Sequence, residues 1–154
     1  MCDVHGTLVI EHSARFLPFV REGQFVEGGA LNSFGEKFDF EGKEFKPTMK
    51  YNLLGTTINY FLENSILDIP DYIKIDVDGI EHLILEGGDK YLNHKKVKSL
   101  SIEINENFKE QYDKVLNLMN KYEFKLLRKK HNHDMFSEQS KFNKTFNYIF
   151  SKQK

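Results

Sequence analysis

Three carboxylates crowd one short stretch of this chain, Asp76, Asp78 and Glu81, within Tyr72-Ile73-Lys74-Ile75-Asp76-Val77-Asp78-Gly79-Ile80-Glu81. Carboxylates gathered at one turn can take a proton from a substrate hydroxyl or attack as nucleophiles. Tyr72, Ile73, Ile75 and Val77 form an apolar, β-branched run between Pro70 and Gly79, the pattern of an interior parallel strand. Ile80, Leu83 and Ile84 then fall at i, i+3, i+4, so the period changes from sheet to helix at the glycine. Such strand-to-helix turns at the carboxyl edge of an open α/β sheet are where ligands bind. An ordinary structural role covers part of this acidity, with Asp78 capping the helix and Glu81 favouring its first turn. Asp76, at the end of the strand, is not explained that way.

The elements that must position this corner read as follows. Thr7–Ile10 reads as a strand after a turn at residues 3–6. The aromatic-rich segment from Arg15 to Phe45 fits short strands or an ordered loop better than a helix. Gly28-Gly29 marks a bend, and no periodic helix follows it to make a phosphate cradle. Thr56-Thr57 caps a short helix through Leu62. Gly87-Gly88 ends the helix that begins at the corner, and Asp89 starts one further turn to Leu92. Val97–Ile104 is a second strand, ending at Glu103. Phe108, Tyr112, Val115, Leu116 and Met119 stripe one face of an amphipathic helix that packs on the core. Phe124–Leu127 and Phe146–Phe150 read as a terminal strand pair.

With 154 residues the chain has room for one domain, an aromatic-rich opening at 1–50 and a strand-helix-strand core over 51–154. A formal net charge of -1 offers no electrostatic case for nucleic acid. No apolar run approaches the roughly 20 residues of a membrane span. The lone cysteine, Cys2, can form no internal disulfide, which points to a reducing, cytoplasmic setting.

Four co-linear blocks carry a resemblance: Thr56-Thr57-Ile58-Asn59, the Ile73–Glu81 corner, Leu85-Glu86-Gly87-Gly88 and Ser101-Ile102-Glu103-Ile104. Together they resemble the FkbM family of S-adenosylmethionine-dependent methyltransferases, in which the corner reads Lys-Ile-Asp-Val-Glu-Gly-x-Glu. Here Asn59 stands where Asp is usual, and Asp78 where Glu is usual. The fold this implies is α/β, the C-terminal part of a Rossmann-like class I methyltransferase sheet, with parallel strands and a terminal antiparallel strand pair. The family's acidic-glycine cofactor motif after its first strand has no counterpart here, so the chain resembles a carboxyl-terminal portion whose central strand would be an exposed edge prone to self-association.

The resemblance implies S-adenosylmethionine as cofactor and a hydroxyl of a sugar or other small molecule as acceptor. Asp76, Asp78 and Glu81 are then the catalytic candidates, with Glu81 orienting the acceptor or holding the helix start. Asp76 and Glu103 are the cofactor-side candidates. His82 beside Glu81 could act as a base, although a solvated helix histidine explains it as well. His131 and His133 lack a third ligand fixed by sequence, so no metal is expected. Two rivals stand beside this reading. Asp-Val-Asp-Gly resembles the nucleophile motif of haloacid-dehalogenase-type Mg²⁺ phosphatases, though Ile80 occupies their threonine position. A non-catalytic, degenerate domain is the other.

Overall fold

Alternation decides the central strand. In Ser-Leu-Ser-Ile-Glu-Ile-Asn every second residue is aliphatic, so a strand here has one apolar and one polar face. In the computed structural model this segment is β5 (Ser99–Asn105), with Leu100, Ile102 and Ile104 fully buried. The structure describes residues 15–21, 32–44, 49–131 and 142–152. The expectations for Cys2, the turn at 3–6, Thr7–Ile10, Gly28-Gly29 and His133 lie outside them.

Two sheets are formed by the described residues. The first is antiparallel, ordered β2-β1-β3, from β1 (Arg15–Arg21), β2 (Asn32–Phe34) and β3 (Met49–Gly55). The second is mixed and ordered β4-β5-β7-β6, from β4 (Tyr72–Ile75), β5, β6 (Phe124–Lys130) and β7 (Thr145–Lys152). Strand β4 runs parallel to β5, while β7 lies antiparallel between β5 and β6. The helices are α1 (Ile58–Glu63), α2 (Glu81–Glu86), α3 (Asp89–Leu92) and α4 (Lys109–Lys121).

Local chemistry explains the boundaries. Thr57 caps α1 by accepting from the Tyr60 N–H at 2.9 Å. Gly87 ends α2, and Gly88 packs so closely on Ile58 that an added Cβ would lie 3.1 Å from its Cδ1. Helices α2 and α4 cover the apolar face of the mixed sheet, where Ile84, Leu85, Val115 and Met119 join the β5 aliphatics and Tyr148 and Phe150 of β7. No helix among the described residues is long and apolar enough to cross a membrane.

Strand β4 lies at the edge of its sheet among the described residues, as expected of the carboxyl-terminal portion, but it departs from a strand buried on both faces. It pairs with β5 alone among the described residues, and Tyr72 is 71% exposed. Its residues alternate as β5 does: Ile73 and Ile75 sit opposite Leu100 and Ile102, whereas Tyr72 and Lys74 sit opposite Ser99 and Ser101. The strand also stops at Ile75, two residues short of Val77.

Core and edge should therefore respond differently to truncation. Leu100→Ala, at a fully buried site, is expected to cost about 2–5 kcal/mol of unfolding free energy. Leu126→Ala, at a site 52% exposed, should stay within about 0.5 kcal/mol. Urea denaturation of the two variants measures the difference.

Candidate functional site

Parallel register brings the first two acids together. Because Ile75 is opposite Ile102, the next residue of each chain segment, Asp76 and Glu103, continues along the polar face. Glu103 in its protonated form donates a hydrogen bond to Asp76. Partial burial, the Asp76 charge and this bond push Glu103 up to about 7, with Asp78 adding to the rise and Lys74 opposing it. Lys74, two residues earlier on the same face, forms an ion pair with Asp76. The Asp76 side chain is 43% exposed, so solvent and solutes reach the pair.

The turn after Asp76 is forced by a glycine. Gly79 has φ +101°, and a Cβ there would lie 3.2 Å from both the Asp39 carbonyl oxygen and Phe40 Cα. The neighbour is a tight turn over residues 38–44. In it the Asp39 N–H donates to Lys43 O at 2.9 Å and the Gly42 N–H to Asp39 O at 2.9 Å. Asp39 Oδ1 also accepts from the N–H groups of Glu41 and Lys43, at 2.8 and 2.9 Å. Asn105, buried at the end of β5, donates from Nδ2 to Phe40 O at 3.1 Å. The Phe38 ring meets the Phe108 ring edge-on at 5.3 Å between centroids. The 38–44 turn of the opening segment thus packs against the Gly79 turn and the end of β5. A role for the opening aromatic segment beside the site was one of two readings of its phenylalanines; this turn was not singled out, and its Asp39-x-x-Gly42 spacing was the available signal.

Glu81 faces inward. It is 2% exposed, accepts a hydrogen bond from Gln111 Nε2 of α4, and accepts from the backbone N–H groups of Gly79 and of Glu81 itself. Burial raises its carboxyl well above the ordinary range; the backbone donors oppose that rise, and Asp78 and Glu103 add to it. The helix begins with Ile80 at the cap position, and that position makes no side-chain cap bond. The Glu81 carboxyl, and not a side chain at the cap position, meets N–H groups where the chain enters α2.

His82 also differs from expectation, being 4% exposed rather than solvated, because α4 covers that side of α2. Burial lowers its imidazole to about 4, helped by Lys114 and opposed by Glu110, so it is neutral at pH 7. Glu106, the residue after β5 ends, accepts from Lys129 Nζ and Tyr148 Oη. Burial raises its carboxyl, and these two donors outweigh that and leave it below its ordinary value. The His131 ring packs on Phe146 at 4.9 Å. Among the described residues no group of three or more His, Cys, Asp and Glu side chains could hold a metal ion.

Asp76, Asp78, Glu81 and Glu103 are thus brought to one corner, with Asp76 and Glu103 accessible as a pair and Glu81 enclosed beneath them. Negative charge concentrated at a solvent-reachable edge suits a cationic ligand, and a carboxyl near 7 suits proton transfer at neutral pH. Residues 51–126, from within β3 to the start of β6, match the family model described as Methyltransferase FkbM domain. That span includes all four acids, while the 38–44 turn and β7 lie outside it. Neither the comparison with curated proteins nor that with solved structures finds a match.

Two outcomes follow from this geometry. Glu103 binds its proton more tightly folded than unfolded, so its contribution to stability is complete below about 4.5 and is lost as pH rises toward 7. Glu103→Gln should flatten the fall of melting temperature across that window, which thermal melts at a series of pH values will show. Gly79→Ala combines a left-handed backbone with backbone crowding and should cost about 1–3 kcal/mol, measured by denaturant unfolding.

Proposed function

Since the chain belongs, through residues 51–126, to the FkbM methyltransferase domain family, we propose that it serves an S-adenosylmethionine-dependent O-methyltransferase acting on a hydroxyl of a glycan or other small molecule. The observation that carries this reading is the Asp76–Glu103 pair: two neighbouring carboxyl groups at the carboxyl end of adjacent parallel strands, within the matched span. The mixed sheet, with β4 parallel to β5 and β7 antiparallel between β5 and β6, is consistent with a methyltransferase-like α/β fold.

When bound, S-adenosylmethionine supplies an electrophilic methyl group on a cationic sulfonium. The acidic corner is the right donor set for that charge, and Asp76 and Glu103 are the residues that would hold the methionine end of the cofactor. Asp78 adds negative charge beside them. Glu103, at about 7, is deprotonated in about half of the molecules at neutral pH, the condition under which a general base works best. It takes the acceptor hydroxyl proton and shares it with Asp76. Lys74 keeps Asp76 turned toward that exchange through its ion pair. Glu81 holds the helix start from below. The 38–44 turn forms one wall and limits the directions from which an acceptor approaches, which serves orientation.

The test is calorimetric titration of the full chain with S-adenosylmethionine, followed by release of S-adenosylhomocysteine with a panel of hydroxylated acceptors. Binding is expected at micromolar levels, and Asp76→Asn should weaken it by about tenfold, roughly 1.4 kcal/mol. Glu103→Gln should lower turnover by about 10²-fold and abolish a rise in rate centred near pH 7. A folded wild-type chain that binds no cofactor at millimolar concentration would overturn the assignment.

A further inference from the structure

The most buried stripe of α4 is Gln111, Val115 and Met119, spaced by four residues. Its first member is an amide where an aliphatic side chain would pack. Gln111 is 1% exposed, and a buried amide is costly unless its polar atoms are bonded. Its Nε2 donates to Glu81, and its Oε1 has no hydrogen-bond partner among the described residues. A residue so placed gives up core packing for a single bond to the acidic corner.

That bond does not end at Glu81. The Glu81 carboxyl accepts from its own N–H and from that of Gly79, which also reaches Val77 O at 3.1 Å. These are donors at the start of α2, where the cap position supplies no side-chain acceptor. A continuous chain of bonds therefore runs from α4 through Gln111 and Glu81 into the Gly79 turn. Asp78 lies within that turn, and Asp76 enters it. The charged groups that face Glu81 are Asp78 and Glu103, both acidic. A neutral amide gives Glu81 a donor without adding a cation that would cancel the corner's charge.

We propose that Gln111 is a positioning residue, acting through Glu81 to hold the Gly79 turn that presents Asp76 and Asp78 to Glu103. What that turn serves rests on the methyltransferase reading. The linkage itself does not.

The experiment uses the full chain without ligand and compares wild type with Gln111→Met, which keeps the shape and removes the donor. Amide hydrogen exchange and carbon-13 titration of the Glu103 carboxyl are followed by NMR. Exchange at Gly79 and Glu81 is expected to quicken by about tenfold or more, while protection of Val115 and Met119 holds. The Glu103 midpoint should fall from about 7 as the turn loosens and solvent enters. In a Glu81→Ala background, Gln111→Met should change neither quantity further. If Gln111→Met fails to fold, Gln111→Asn, whose amide is one methylene short, is read in the same way. Unchanged exchange at Gly79 and Glu81 in a folded variant overturns the proposal, as does an undiminished effect without Glu81. Failure of wild type to bind S-adenosylmethionine, with the exchange result as expected, overturns the methyltransferase reading and leaves the linkage standing.

Discussion

The parallel pairing of β4 with β5 is the constraint on which the site depends. Ile73 and Ile75 must lie against Leu100 and Ile102 to bury their side chains, and that requirement selects one register. A slip of a single residue would turn the aliphatic set toward water and the acids toward α2 and α4. Burial on one face thus dictates proximity on the other. The hydrophobic core holds Asp76 beside Glu103, although neither side chain belongs to it. The resulting repulsion is relieved by one proton and one lysine, Lys74.

Beneath that pair the structure relies on bonded polar groups inside the fold. Glu81, Gln111 and Asn105 are each nearly inaccessible, and each is tied to a segment far away in sequence. Polar groups in such surroundings favour one arrangement strongly, because any alternative strands a donor or acceptor away from water. Gly79 adds steric specificity, since the backbone of residues 39 and 40 occupies the space a side chain would need. The corner is thereby locked by contacts from three directions: α4, the end of β5 and the 38–44 turn.

Much of this was legible in the residues because the signals are local. The change of period at Gly79, the Thr57 cap, the glycine stop at Gly87 and the stripe along α4 each depend on neighbours within one or two turns. That Asp76 and Glu103 stand at the ends of two strands was also readable. What escaped was set by tertiary partners. Tyr-Ile-Lys-Ile-Asp reads as a buried run when its isoleucines are counted, and as a half-exposed strand when its alternation is; the second reading fits β4. His82 is hidden by a helix almost thirty residues away, and Gln111 looks like any polar helix residue until Glu81 is seen beneath it. The insertion of β7 between β5 and β6 carries no local signature either, because antiparallel return strands read alike in either position.

The 38–44 turn closes on itself through the Asp39 side chain and touches the corner chiefly through backbone atoms, a ring and one asparagine bond. Its own sequence is therefore loosely bound to the acidic residues, while its backbone fits against the Gly79 turn. Such a segment is free to diverge. Lengthening or reshaping it beyond Asp39 and Phe40 would leave the sheet registry intact, so the bend over this corner can be rebuilt without disturbing the strands beneath.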